Sequence, residues 1–215
     1  VRIDELPTPF GALSLPLWVA VAFTFFWLVG MMNTVNWLDG LDGLAAGVVG
    51  IACIVLFVHT ARLGQESLAV LPLALLGAIV GFLPYNFNPA RIFMGASGPL
   101  VLGFALGVLA IIGGAKVATA LLVVGVPILD TAWQIFNRLR GGRKPYVGDR
   151  GHLHFRLVDL GYSQRKIVLF VYGLCALFGG LALILPSGIQ KAYAIGAMGL
   201  LTIGVMVWLT RKQGG

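Results

Sequence analysis

Charge is what this chain has least of. Eight Asp and Glu and fifteen Lys and Arg make up 11% of the 215 residues, while 59% are hydrophobic. A soluble surface carries roughly 25–35% charged residues, so this composition excludes an ordinary soluble globular domain. Cysteine is nearly absent as well. Cys53 and Cys175 both lie inside apolar runs, which excludes a disulfide scaffold or a thiolate metal site and leaves them as small packing residues. There is no internal repeat, no low-complexity tract and no polar stretch long enough for a separate soluble domain.

What remains is hydrophobic sequence in long runs. An apolar run of about 18 or more residues reads as a transmembrane helix. Seven candidates occur: Leu13–Met32, Leu44–Ala61, Leu68–Tyr85, Gly98–Ala115, Val117–Phe136, Ile167–Ser187 and Ala192–Thr210. The thirty glycines suit close helix packing in lipid. The expected fold is all-α, a polytopic membrane helical bundle of about seven transmembrane helices forming a single integral membrane domain over 1–215. Pro7, Pro9 and Pro16 make residues 1–16 an external loop, and the start at Val1 reads as an amputated N-terminus.

The scarce charges are unevenly placed. Eight Lys and Arg lie between Asn137 and Lys166, against Asp149 and Asp159. The positive-inside rule makes 137–166 a basic cytoplasmic loop. Clamped between two spans, it is a poor nucleic-acid patch. Threading from that loop puts 33–43, 86–97, Arg211 and Lys212 inside, and Arg2, Arg62, Lys116 and Lys191 outside. Every polar cluster then falls on one membrane face, whereas a transporter would place polar groups at mid-membrane in broken helices.

Three of these clusters carry chemistry. The first is Asn33-Thr34-Val35-Asn36-Trp37-Leu38-Asp39-Gly40-Leu41-Asp42-Gly43-Leu44. Asp39 and Asp42 share a face if helical. Either could cap the helix starting at Leu44, but two Asp, two Asn and two Gly exceed what capping needs. The second runs from Pro84 to Pro99. Asn86 offers donor and acceptor together, as a base edge requires, and Phe93 beside Gly95 offers an open ring face. An asparagine turn and an interfacial aromatic explain the same residues. The third holds His152 and His154. H-x-H alone is weak evidence for a metal, and the flanking Arg150 and Arg156 make a phosphate site more natural. A solvated basic loop is the plainer reading. Asp130, late in the fifth span after Pro127, supports the site or pairs with Arg138 or Arg140.

Taken together, the motifs resemble those of the polyprenyl-phosphate N-acetylhexosamine-1-phosphate transferases, glycosyltransferase family 4. The resemblance covers essentially the whole chain. It runs through N-x-x-N-x-x-D-G-x-D-G-L (Asn33 to Leu44), N-x-x-P-A-x-I-F-M-G (Asn86 to Gly95), P-x-L-D (Pro127 to Asp130) and D-R-x-H-x-H (Asp149 to His154). The last form looks like the branch acting on UDP-N-acetylglucosamine.

The resemblance implies a plasma-membrane, multi-pass enzyme whose active-site loops are cytoplasmic. A polyprenyl (undecaprenyl) phosphate attacks the β-phosphorus of a UDP-sugar, UMP leaves, and Mg²⁺ neutralises the developing charge. Asp39, Asp42, His152 and His154 are the implied catalytic residues. Asn36 and Asp39 would line the nucleotide pocket, with Asp42 supporting them or the metal. Asn86, Arg150 and Arg156 would contact substrate, and Phe93 would stack on uracil. Asp39 is the implied metal ligand still in place. The expected partners are a UDP-N-acetylhexosamine, polyprenyl phosphate and the lipid bilayer, with a homodimer as an allowed assembly and no nucleic acid.

Two departures qualify this. The family continues F-M-G into D-x-G-S, with the Asp on Mg²⁺; here the residues are Ala96-Ser97-Gly98-Pro99, and alanine offers no oxygen to a hard cation. The family also carries an Asp-Asp pair before the segment resembling 1–16, which implies an N-terminally truncated member lacking about four spans. The competing expectation is a catalytically inactive homologue or fragment that retains nucleotide or lipid binding.

Overall fold

A computed structural model describes residues 1–8, 11–112, 117–142, 144, 151–185 and 188–213. It opens with a two-stranded antiparallel hairpin, β1 (Glu5–Thr8) and β2 (Gly11–Ser14), rather than the loop expected over 1–16. Pro7 pairs opposite Ala12; in a two-stranded ribbon both strands are edges, where a missing N–H is tolerated. The hairpin is anchored below by the Ile3 N–H, which donates to Thr24 Oγ1 at 2.9 Å.

Among the described residues eight helices follow: α1 (Leu17–Leu38), α2 (Leu44–Arg62), α3 (Glu66–Asn86), α4 (Ser97–Ile112), α5 (Val117–Arg140), α6 (Leu153–Asp159), α7 (Gln164–Ile184) and α8 (Gly188–Gln213). Six are long and apolar enough to cross a membrane. The seventh candidate, α4, has 16 described residues. At 1.5 Å per residue those residues span about 24 Å, short of the ~30 Å hydrocarbon core. Elsewhere helix extends into segments expected to be loops. α1 runs through Asn33 and Asn36 to Leu38, α3 through Pro84 to Asn86, and α5 four residues into the basic loop, which also contains α6.

The most buried span, α2, sits at the centre with α3, α4, α5 and α7 around it. Its sequence explains this. Ala45, Ala46, Gly47, Gly50, Ala52 and Cys53 are small, and all but Gly47 and Gly50 are counted in one continuous core with Met31, Val123, Ile167 and Cys175. Small residues also set the other contacts: a Cβ at Gly103 of α4 would lie 2.6 Å from the Met31 carbonyl of α1. Without water to drive association, such backbone approach is how helices gain contact in lipid.

At one end of the bundle Arg62 Nη1 donates to the Leu183 carbonyl at 2.9 Å, and the buried Lys191 ammonium donates to Thr119 Oγ1 at 3.1 Å. The ends of α1, α3 and α5 and the starts of α2, α4 and α7 meet at the other.

Candidate functional site

Three polar segments converge at that second end. The first is the turn from Asp39 to Gly43 between α1 and α2. Neither Asp39 nor Asp42 caps α2. The cap position is Gly43, in the left-handed region at φ 79°, and no side chain bonds to the helix end. The two carboxylates lie in the turn rather than on one helical face. Gly43 is required by that φ, and the Tyr172 hydroxyl of α7 donates to its carbonyl.

Asp42 ties the turn to the second segment, 87–96. Its Oδ2 accepts from Asn88 Nδ2 and from the Ala90 N–H, both at 3.0 Å. Asn88 also donates to Gln164 at the start of α7, and Arg165 Nε donates to the Asn88 carbonyl at 2.9 Å. Asn86 is buried; its amide donates to the Ile92 carbonyl at 3.1 Å, and its Oδ1 has no partner among the described residues. One of the two amide N–H groups serves the loop, and the unpartnered Oδ1 keeps the acceptor half of the base-edge expectation. Phe93 stands 74% exposed.

The third segment, 151–164, is held by α5. The Asp130 Oδ2 lies 2.9 Å from His152 Nδ1, and Oδ1 accepts from the Leu153 N–H at 3.0 Å. Gln134 Nε2 and Arg156 Nε both donate to the Gly151 carbonyl, at 2.5 and 2.7 Å. His152 and His154 stack nearly parallel, 5.7 Å apart at 12°. His152 also faces Trp37 at 6.1 Å, and the Arg138 guanidinium lies 5.8 Å from that indole. The spacing i, i+2 thus brings both rings to one place because His152 caps the start of α6 and His154 lies in its first turn. Arg150 and Asp149 lie outside the described residues.

The first and third segments touch at Gly40. A Cβ there would sit 2.5 Å from His154 Nε2 and 2.7 Å from Phe155 Cζ. His154 Nε2 is buried with no hydrogen-bond partner among the described residues. Burial holds the His154 ring down at about 4, the neighbouring His152 adding to this and Asp130 opposing it. Asp39 is pushed up to about 6, first by burial and then by the Asp42 charge. The site therefore pairs a neutral imidazole with a carboxyl that titrates close to neutrality.

A cavity of about 530 Å³ opens between α1 and α5. Its walls are Phe23, Phe26, Trp27 and Ile128, and it ends against Asn33, Thr34 and Trp37, where the polar end begins.

The described residues do not fit the implied Mg²⁺. The ion needs near-octahedral oxygen ligands. Among the described residues no three His, Cys, Asp or Glu are placed to hold a metal. Asp42 Oδ2 already accepts two hydrogen bonds, and position 96 presents a methyl group just before α4. Pro99 is a milder departure, because in the first turn of α4 its missing N–H has no intrahelical acceptor.

Sequence reasoning singled out Asp39, Asp42, Asn86, Phe93, His152 and His154, and all lie at this one end, opposite Arg62 and Lys191. It missed Gly40, Trp37, Asn88, Gln164 and Tyr172. Asn88 and Gln164 carry no local signal, since their role exists only when α3 and α7 meet.

The Glycosyl transferase family 4 model matches residues 1–114. A Bacillus subtilis protein named "Probable undecaprenyl-phosphate N-acetylglucosaminyl 1-phosphate transferase" is 36% identical over 194 residues, covering 87% of this chain and 54% of that protein. The decaprenyl-phosphate N-acetylglucosaminephosphotransferase of Mycolicibacterium smegmatis is 36% identical over 214 residues, covering 86% and 52%. A Staphylococcus aureus phospho-N-acetylmuramoyl-pentapeptide-transferase is 35% identical over 176 residues, covering 80% and 54%. The chain spans about half the length of the curated relatives it matches.

Proposed function

The chain belongs to glycosyl transferase family 4, and from that premise we propose that it supplies the polar face on which N-acetylglucosamine-1-phosphate passes from UDP-N-acetylglucosamine to a polyprenyl phosphate. In that reaction an oxygen of the lipid phosphate bonds to the β-phosphorus of the nucleotide sugar. The bond from that phosphorus to the bridging oxygen breaks, and its electron pair leaves with UMP. The relatives' names support the acceptor class and the sugar phosphate. The face is cytoplasmic in this reading, since Arg91, Arg138, Arg140, Arg156, Arg165 and Lys166 gather at this end.

One observation carries the reading: Gly40 brings the Asp39 turn against His154, and Trp37, which lines the α1–α5 groove, lies 6.1 Å from the His152 ring. A lipid tail lying in that groove would end with its phosphate beside Trp37, His152 and Arg138. Phe93 would stack on the uracil, and the Asn86 Oδ1 would accept from its N–H.

Binding is the activity this chain is expected to keep. Isothermal calorimetry in detergent should show uridine diphosphate sugars binding in preference to adenosine diphosphate sugars, with little dependence on Mg²⁺. Phe93→Ala should weaken binding by about 1–3 kcal/mol, the usual worth of a base–aromatic stack. Equal affinity for uridine and adenosine sugars would overturn the proposal.

A further inference from the structure

The two histidines are not equivalent, because only one has a carboxylate behind it. Asp130 meets the start of α6 with both oxygens: Oδ1 takes the Leu153 N–H and Oδ2 faces His152 Nδ1. Asp130 and His152 are buried, their side chains 7% and 6% exposed. A ring lone pair pointed at an ionised carboxylate oxygen 2.9 Å away would be repelled, so Nδ1 must carry a proton. The neutral ring then has its lone pair on Nε2. His154 on one face and Trp37 nearby fix the plane of the ring.

We propose that Asp130 is a positioning residue that holds neutral His152 in the Nδ1–H tautomer, so that Nε2 accepts the proton of a phosphate monoester. That the monoester is the acceptor lipid's rests on the reading given under Proposed function. The second ionisation of such a phosphate lies near pH 6, so a protonated fraction is present near neutrality. The O–H bond of the monoanion breaks, an N–H bond forms at Nε2, and the electron pair stays on the phosphate oxygen as a dianion. The imidazolium produced is neutralised by Asp130 through Nδ1–H, as an orienting carboxylate does for a catalytic histidine. His154 is the other titratable ring facing His152, and being held neutral it does not compete for this proton.

The test is a long-range proton–nitrogen NMR correlation of the histidine-labelled chain in detergent. His152 should show the Nδ1–H pattern. In Asp130→Asn the amide oxygen keeps the Leu153 bond, which turns the NH₂ toward Nδ1. The ring proton must then move to Nε2, and the tautomer reverses without loss of helix. Asp130→Glu should recover Nδ1–H. Farnesyl phosphate should perturb His152 Nε2 in the native chain, farnesol should not, and Asp130→Asn should abolish the response. An Nε2–H pattern in the native chain overturns the proposal, and this measurement stands even where Asp130→Asn fails to fold. An Nδ1–H pattern that farnesyl phosphate leaves unmoved retains the positioning role and overturns the lipid phosphate as its target.

Discussion

Gly40→Ala separates space from backbone freedom at the centre of the site. Gly40 is not among the glycines with positive φ, so alanine fits its backbone. By itself that substitution should stabilise by about 0.4–1 kcal/mol, because it narrows the unfolded ensemble. The added methyl would instead meet His154 Nε2 at 2.5 Å and Phe155 Cζ at 2.7 Å, well inside the 3.4 Å where ordinary contact begins. Neither ring has an easy exit, since His154 is stacked on His152 and packed on Phe155 at 4.3 Å. Overpacking of this kind costs about 1–3 kcal/mol. The net expectation is a loss of about 1–2 kcal/mol, read by equilibrium unfolding in mixed micelles with tryptophan fluorescence. The same change in a His154→Ala, Phe155→Ala background has no clash to make, and should turn from destabilising to stabilising. If Gly40→Ala is neutral in the native chain, or no sign change appears in that background, the contact is not what keeps position 40 bare.

Two further outcomes are expected. His154 is lowered from 6.5 to about 4, so the unfolded chain binds its proton first; its stabilising contribution is complete above pH 6.5 and is lost as pH falls toward 4, about 3 kcal/mol in all. Asp39 is raised from 3.8 to about 6 and has the opposite slope over nearly the same window. Asp39→Asn should therefore steepen acid destabilisation between pH 6.5 and 4, while His154→Gln should reverse its direction, as followed by unfolding midpoints across pH; parallel profiles for the two variants would refute this. With a methyl at position 96, this chain should release no UMP from UDP-N-acetylglucosamine with polyprenyl phosphate and Mg²⁺. Ala96→Asp alone should not restore release, because metal-binding carboxylates act as a unit; robust release by the unmodified chain would show that other residues hold the ion.

Most of the architecture was legible because lipid imposes length and hydropathy directly. The exceptions are physical too. The pairing of 5–8 with 11–14 is hidden in the sequence by Pro7, which an edge strand accepts. The helical ends through Asn36 and Asn86 look like loop in the sequence because polar residues interrupt the apolar run before the helix itself stops. At the site, motif spacing found Asp39, Asp42 and the two histidines, since their chemistry is unusual in so apolar a chain. It could not choose between a site role and an ion pair for Asp130, and the bond to His152 favours the site role. Asn88, Gln164 and Tyr172 were invisible because each acts on a residue at least 46 positions away.

The Tyr172 bond has a mechanical consequence when set beside the Arg62 bond. Tyr172 ties α7 to the Gly43 carbonyl where α2 begins, and Arg62 ties α2 to the Leu183 carbonyl where α7 ends. Two rods pinned at two separate points can neither scissor nor slide along one another without breaking a pin. α2 and α7 therefore move as one strut through the bundle. Any widening of the polar end must come from the helices leaning on that strut. α1 and α5 have the apolar groove between them and so have room to part, which makes the space between them the compliant direction of the protein.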